Sequence, residues 1–226
     1  MGKVSQAKLL AKWLREVGVD FVPRSLPKNE DGSMPDTASA EVETLDEIRQ
    51  ELTGCEGCVL CGKRNTIVFG TGNPRAQLMF IGEGPGAEED LQGKPFVGAA
   101  GKRLDRWIES IGHTREDVYI ANIVKCRPPE NRVPTLEEAR SCMPYLVRQI
   151  RTIRPKLLCT LGLTALNYML GVDERITKAR GRWRDWNGIP LLPTYHPAFI
   201  LRDPSREKEV FEDFKELARR LSISGA

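Results

Sequence analysis

The 226-residue sequence has no apolar run that approaches the roughly 18 residues of a membrane span. Its first residues also lack the apolar segment of a secretory signal peptide. We therefore expect a cytoplasmic protein without a membrane partner. Apolar residues make up 40% of the chain and charged residues 29%, which is typical of a globular protein with a sizeable core.

The net charge is small, at +3, but it is unevenly distributed along the chain. Residues 1–54 contain 7 basic and 10 acidic residues, whereas the remainder contains 27 basic and 21 acidic residues. A moderately basic folded part is compatible with nucleic acid binding and does not require it.

The first 54 residues differ in composition from the rest. Residues 5–19 carry apolar side chains at helical spacing after Ser5, a candidate N-cap, and residues 21–43 have the composition of a linker. A short helix is expected at residues 45–52. We divide the chain into an N-terminal segment, residues 1–54, and a domain, residues 55–226. We expect a monomer whose N-terminal helix packs on its own domain; the alternative is that this helix binds an unidentified protein.

Within the domain, apolar runs alternate with segments of helical periodicity. The predicted strands are residues 66–69, 77–81, 118–124, 156–161 and 190–194. The predicted helices are residues 100–111, 136–153, 163–170 and 207–221. This alternation predicts an α/β layered domain with a largely parallel sheet, in which ligands bind outside the carboxyl ends of the strands. Glu83, Asn122 and His196 each lie at or after such an end, so we expect them on one rim.

Glu83 lies in a glycine-rich turn, GEGPG, at residues 82–86. Three glycines in five residues allow the backbone to come close to a ligand. The spacing of Gly82, Gly84 and Ala87 formally fits a dinucleotide fingerprint. However, Pro85 interrupts that pattern, and the acidic residues 88–90 would repel a pyrophosphate at the helix N-terminus. A phosphate-binding role is therefore disfavoured.

Six cysteines are present: Cys55, Cys58, Cys61, Cys126, Cys142 and Cys159. The spacing Cys55-x2-Cys58 is typical of ligands to a metal ion or cluster, and two further thiolates would complete a four-thiolate site. Cys159 lies in an apolar run and is expected to be a small core residue, whereas Cys61 competes with its two neighbours. Spacing alone leaves zinc and an iron–sulfur cluster equally open.

The ordered set of short motifs from Cys55 to the C-terminus resembles that of the family 4 uracil-DNA glycosylases. The motifs are Cys55-x2-Cys58, GEGPG at residues 82–86, KPFVG at 94–98, NIVKCRPP at 122–129, Cys142 and His196-Pro197. The resemblance implies a three-layer α/β/α sandwich with a central, largely parallel sheet of four or five strands. It also implies a [4Fe-4S] cluster on Cys55, Cys58, Cys126 and Cys142, with Cys61 as a bystander.

The implied activity is excision of uracil from single- or double-stranded DNA, without lyase activity, leaving free uracil and an abasic site. Phe96 would stack on the uracil and Asn122 would read its Watson–Crick edge. Glu83 would position the attacking water, His196 would stabilise the departing anion, and Glu89 is a second carboxylate candidate. The turn residues implied to line the base pocket are Gly82, Gly84, Pro85 and Gly86.

A base inside a duplex must be flipped out before it can react, and an apolar wedge commonly fills the space it leaves. Ile200 and Leu201 are the predicted wedge and Arg202 a predicted phosphate contact, although these apolar residues could simply begin a helix. Further candidates for phosphate contacts are Arg127, Arg132, Lys178, Arg180 and Arg182.

Gly84 lies where some other uracil-DNA glycosylase families have an activating aspartate, which implies weaker activation of water in this chain. A related branch traps uracil-DNA covalently through a histidine in a basic loop, but residues 128–134 contain none. Turnover is therefore predicted. The alternative is an iron–sulfur protein that binds uracil-DNA without catalysis or traps it covalently.

Overall fold

The computed structural model describes residues 43–224, which form a mixed six-stranded sheet between layers of helices. The helix predicted at residues 5–19 and nearly all of the predicted linker lie outside this range. The strands are β1 (Thr71–Gly72), β2 (Leu78–Gly82), β3 (Tyr119–Asn122), β4 (Leu157–Leu161), β5 (Arg184–Trp186) and β6 (Ile189–Thr194).

The strand order is β1-β3-β2-β4-β6-β5, and the four inner strands are parallel. Every residue of β2, β3 and β4 is buried, as expected for strands covered on both faces. The short strands β1 and β5 pair antiparallel at the two edges, which raises the strand number from the expected four or five to six.

The strand predicted at residues 66–69 is absent. This segment is irregular: Val68 and Phe69 are buried, residues 66 and 67 are half-buried, and the Val68 N–H donates to the Lys125 carbonyl oxygen outside any strand pairing. The apolar run therefore indicates burial and not a strand. The edge strand β1 begins two residues further on, at Thr71.

Eight α-helices occur within residues 43–224. They are α1 (Leu45–Leu52), α2 (Ala87–Gln92), α3 (Ala99–Glu109), α4 (Leu136–Ile153), α5 (Leu163–Leu170), α6 (Ile176–Ala179), α7 (Pro197–Arg202) and α8 (Glu207–Ser224). The three helices predicted at residues 45–52, 136–153 and 163–170 have the predicted bounds, and α4 begins at a capping box formed by Thr135 and Glu138. None of these eight helices is both long enough and apolar enough to span a bilayer.

Successive side chains of the inner strands point to opposite faces of the sheet and fill two cores. Met79 and Ile81 pack in one core with α4 and α5, and Leu78 and Phe80 pack in the other with α3 and α8. The two cores confirm the three-layer α/β/α architecture.

Helix α1 packs on the domain, although the sequence groups it with the N-terminal segment. Ile48 and Leu52 are buried against Phe69 in a small third core. Arg148 of α4 forms ion pairs with Glu43 and Glu51. Residues 43–54 therefore pack as part of the same unit as the sheet.

Candidate functional site

The parallel register brings the predicted site residues to one edge of the sheet. Gly82 at the end of β2 pairs with Asn122 at the end of β3, and the chain continues from Gly82 into Glu83. His196 lies two residues beyond the end of β6. The chain leaves β2 toward β3 on one side and then crosses back to β4 on the other, so the switch point at which ligands of such sheets bind lies between β2 and β4.

A cavity of about 450 Å³ opens at this edge. Its walls are formed by Glu83, Gly84, Pro85, Gly86, Glu89, Phe96, Ala100, Asn122, Pro128, Asn131, Arg132, His196, Ala198, Phe199 and Arg202. The sequence therefore identified most of the wall, and the residues that it missed are marked only by their position beside the rim: Ala100, Pro128, Asn131 and Ala198.

Gly82 allows two walls of the cavity to meet. A Cβ at this position would lie 2.4 Å from Asn122 Oδ1 and 2.6 Å from the Phe96 ring. Both distances are too short for a side-chain carbon. The absence of a side chain at Gly82 therefore allows the Asn122 amide and the Phe96 ring to lie close to its backbone. Any larger residue would push the amide and the ring apart.

Asn122 presents a polar atom that lacks a partner. Its side chain is 1% exposed and lines the cavity, yet Oδ1 accepts no hydrogen bond within the described part of the chain. A hydrogen bond holds the backbone of Asn122 in place, since the buried side chain of Lys125 donates to the Asn122 carbonyl oxygen at 3.0 Å. A buried acceptor held in this way is suited to an N–H donor on a ligand.

His196 is held as a neutral ring with a defined tautomer. It caps α7, and its Nδ1 accepts a hydrogen bond from the Ala198 N–H at 3.1 Å. The ring proton must therefore be on Nε2. Burial lowers the pKa of His196 to about 4; the Arg202 guanidinium adds to this decrease and the Glu89 carboxylate opposes it. The ring of Phe96 lies 5.6 Å from the imidazole, between centroids.

The two carboxylates of the cavity differ in their contacts. Glu89 accepts hydrogen bonds from the backbone N–H groups of Gly86 at 3.0 Å, Val97 at 3.0 Å and Gly98 at 3.2 Å. Glu83 has no side-chain hydrogen bond to another described residue, and its backbone oxygen accepts from the Val124 N–H. Glu89 thus shapes the turn, and the carboxylate of Glu83 remains available to a ligand or water.

The predicted wedge is corrected by the structure. Residues 197–202 form helix α7, which is the alternative considered for these apolar residues. Ile200 is 0% exposed and packs in the core with α3 and α8, so it cannot enter DNA without unfolding this helix. Leu201 on the same helix is 39% exposed, and Arg202 lines the cavity.

Two arginines predicted as phosphate contacts have protein partners. The guanidinium of Arg180 pairs with Asp213 and Glu209 of α8, which corrects its predicted role. Arg132 lies at the cavity wall and forms a two-pronged ion pair with the buried Glu138.

The cysteines predicted as ligands lie near one another. The pKa of Cys126 is raised by burial and by the neighbouring Cys58 and Cys55, and that of Cys142 is raised to about 12 by burial and by Cys126 and Cys58. Two of the four sulfurs accept an N–H hydrogen bond: Cys55 from Gly57 at 3.4 Å and Cys126 from the Arg64 guanidinium at 3.7 Å. Within residues 43–224, no three histidine, cysteine or acidic side chains are grouped as ligands of a single metal ion. Cys159 is fully buried in the opposite core, as predicted.

The fold and the site together define a class of protein. The cavity has an aromatic ring at one wall, an amide acceptor without a partner among the described residues, a neutral imidazole and an available carboxylate. These groups suit a planar heterocycle with N–H and carbonyl groups at its edge, next to a bond that water can attack. The class is therefore a hydrolytic enzyme with an α/β/α fold that acts on base-containing substrates.

Comparison with known proteins defines the family. The sequence model of the uracil DNA glycosylase superfamily matches residues 69–221. The chain is 46% identical to the type-4 uracil-DNA glycosylase of Saccharolobus solfataricus over 190 residues, which cover 80% of this chain and 88% of the relative. It is 43% identical to that of Thermotoga maritima over 178 residues, covering 77% and 93%. The chain belongs to the uracil DNA glycosylase superfamily and, within it, to the type-4 uracil-DNA glycosylases.

Proposed function

We propose that this protein removes uracil from DNA by hydrolysing the N-glycosidic bond, releasing the free base and leaving an abasic site. The observation that carries the proposal is the convergence of Glu83, Phe96, Asn122 and His196 on one base-sized cavity. The partner is uracil-containing DNA, single- or double-stranded, and the protein acts as a cytoplasmic monomer.

Uracil recognition is assigned to Asn122 and Phe96. Asn122 Oδ1 is the acceptor for the uracil N3–H, because it is buried and has no partner among the described residues. The Phe96 ring, 5% exposed beside the same atom, stacks on the face of the base. The approach of both groups at Gly82 supports their assignment to one planar ligand.

Water is positioned by Glu83. Cleavage of the glycosidic bond gives the sugar oxocarbenium character, which a carboxylate stabilises while it orients the attacking water. Glu83 is favoured over Glu89 because three backbone N–H groups already occupy the Glu89 carboxylate. Glu89 is assigned the role of holding the turn and the Phe96 segment in place.

The departing base is stabilised by His196. Because Nδ1 accepts from the Ala198 N–H, the proton on Nε2 can be donated to a uracil oxygen as negative charge develops. A neutral imidazole can donate this hydrogen bond while it keeps the proton on Nε2. The leaving-group contact matters more here, since Gly84 adds no second acid to activate the water.

Contact with DNA is assigned to Leu201 and Arg202. Leu201 is the exposed apolar residue of α7 and replaces the predicted pair as the wedge. Arg202 lies at the cavity wall, where a phosphate next to a flipped nucleotide would pass.

The four cysteines Cys55, Cys58, Cys126 and Cys142 are proposed to hold a [4Fe-4S] cluster. The N–H donors to Cys55 and Cys126 fit this assignment, since hydrogen bonds to the sulfurs are a feature of such sites. A four-iron cluster takes one thiolate for each iron, so its ligands need not converge on a single point. When bound, the cluster would tie the segment before the sheet to the loop after β3 and to helix α4.

Replacement of Glu83 by glutamine tests the function. The wild type should release free uracil from a uracil-containing oligonucleotide, and Glu83→Gln should do so about 10²-fold more slowly because its water is misplaced. Glu88→Gln is the matched control, since Glu88 is an exposed acid of α2 that does not line the cavity. Absence of uracil release by the wild type at several salt concentrations would reject the proposal, and a DNA adduct on a denaturing gel would reject turnover.

The pH dependence should lack the usual histidine inflection. Since the pKa of His196 is lowered to about 4, its ring stays neutral as the pH falls through 6.5. We expect kcat/KM for uracil release to stay level in that range and to fall only as the pH approaches 4, where protonation of Nδ1 breaks the bond to Ala198. With two histidines in the chain, nitrogen NMR of labelled protein can follow each ring, using His113→Gln for assignment. A titration of His196 near pH 6.5 would contradict this expectation.

A further inference from the structure

Phe96 has a backbone conformation that its side chain does not favour. Its φ is 53°, in the left-handed region, which a bulky aromatic residue adopts only when its surroundings hold it there. Phe96 forms one wall of the cavity. Whatever holds this backbone therefore also sets the angle of the ring toward a ligand.

The carbonyl oxygens of this segment are held by one guanidinium. Arg115 donates to the Phe96 oxygen from Nη1 at 2.7 Å and to the Pro95 oxygen from Nη2 at 2.6 Å. Arg115 is anchored in turn by Asp105 of α3, with an Nη1–Oδ1 distance of 2.8 Å. A planar fork of this kind fixes two acceptors in one plane, which an ammonium group cannot do.

The other side of the segment is held by different groups. The N–H groups of Val97 and Gly98 donate to Glu89, as described above. Helix α3 also packs closely on the segment, because a Cβ at Gly101 would lie only 1.8 Å from the Phe96 oxygen. The strained peptide is thus fixed by a cation at its carbonyls and a carboxylate at the following amides.

We propose that Arg115 is a positioning residue that holds Phe96 in the conformation required for stacking on the base. Arg115 borders a separate groove with Lys94 and Val97, so it acts through Phe96 and not by contact with the base. The inference rests on the proposed function only for its activity readout. This proposal adds to the site a residue that lies 19 positions after Phe96 in the sequence.

The test is a double-mutant cycle with Phe96→Ala. Arg115→Met should lower kcat/KM for uracil release about 10-fold, mainly by raising KM. The kcat/KM of Arg115→Lys should lie between those of Arg115→Met and the wild type. In the Phe96→Ala background, Arg115→Met should change kcat/KM less than twofold, since the ring to be positioned is gone. Equal losses in both backgrounds, or no loss in either, would overturn the proposal.

A matched control separates positioning from general stability. Arg103 lies on α3, as Asp105 does, and its guanidinium pairs with Glu207 and has no hydrogen bond to residues 95–98, so Arg103→Met should keep uracil release within twofold. If Arg115→Met does not fold, Asp105→Asn removes the anchor and leaves the guanidinium, and the same cycle applies to it. A crystal structure of whichever variant folds gives a readout independent of activity: a Phe96 φ outside the left-handed region supports the inference, and an unchanged φ and ring position overturns it. Absence of uracil release by the wild type would reject the proposed function but leave this structural readout intact.

Discussion

Replacement of His196 by alanine is expected to lower kcat for uracil release by about 10²–10³-fold, the usual cost of removing one donor to a developing oxyanion. The structure gives the reason. The Ala198 N–H occupies Nδ1, so the only ring proton is on Nε2, beside a cavity that Asn122 and Phe96 also line. Without this donor, the departing base must leave as a poorly stabilised anion. Single-turnover release of uracil from a labelled oligonucleotide measures the effect directly.

Two variants control for this prediction. His196→Gln keeps a side-chain donor and should recover part of the lost rate. His113→Ala replaces the other histidine, which borders a groove with Arg75 and Gln77 at the opposite, amino end of the strands, and should leave the rate unchanged. A loss smaller than tenfold in His196→Ala would exclude the assigned role.

Replacement of Cys142 by alanine is expected to remove the proposed cluster and to destabilise the fold. Cys142 is 4% exposed on α4 and packs in the same core as Cys126. Loss of a metal site belongs to the few mechanisms by which one substitution costs about 4–5 kcal/mol. For a domain of this size, that loss lowers the melting temperature by roughly 10–20 °C. Iron and sulfide analysis, the visible thiolate-to-iron absorbance and a thermal melt together measure it.

The remaining cysteines supply the controls for this variant. Cys159→Ala removes a fully buried thiol from the opposite core and should cost only about 1 kcal/mol with full iron content. Cys61→Ser tests the predicted bystander, which neighbours Cys58, and should also keep its iron. A Cys142→Ala protein with four irons and an unchanged melt would contradict the ligand assignment.

Local signals predicted the helices better than the strands. The bounds of α4 followed from its apolar periodicity, and the structure shows a Thr135–Glu138 capping box at its start; both signals involve residues within a few positions of each other. Residues 66–69 were wrongly predicted as a strand, because an apolar run reports burial and not the partner of its hydrogen bonds. The edge strands β1 and β5, with two and three residues, are too short to have a pattern of their own.

The candidate site shows the same division. The expected meeting of Glu83, Asn122 and His196 at one rim is found, because parallel strands end at the same edge. Ile200 was wrong as a wedge residue and Leu201 stays a prediction, since the two are similar in sequence terms and differ in which side of α7 the core covers. Arg115 had no signal in the sequence at all, because its role depends on a contact with the Phe96 oxygen across 19 residues.

The sequence by itself determined which chemical groups this protein has and in what order: the four cysteines proposed as cluster ligands, the glycine-rich turn with its acid, and the His-Pro pair. Tertiary structure decided the state of those groups. It left the carboxylate of Glu83 available and occupied that of Glu89, and it placed the His196 proton on Nε2. The physical reason is that protonation, burial and hydrogen-bond partners depend on the dielectric and on the atoms nearby, and folding brings those atoms together from distant parts of the chain.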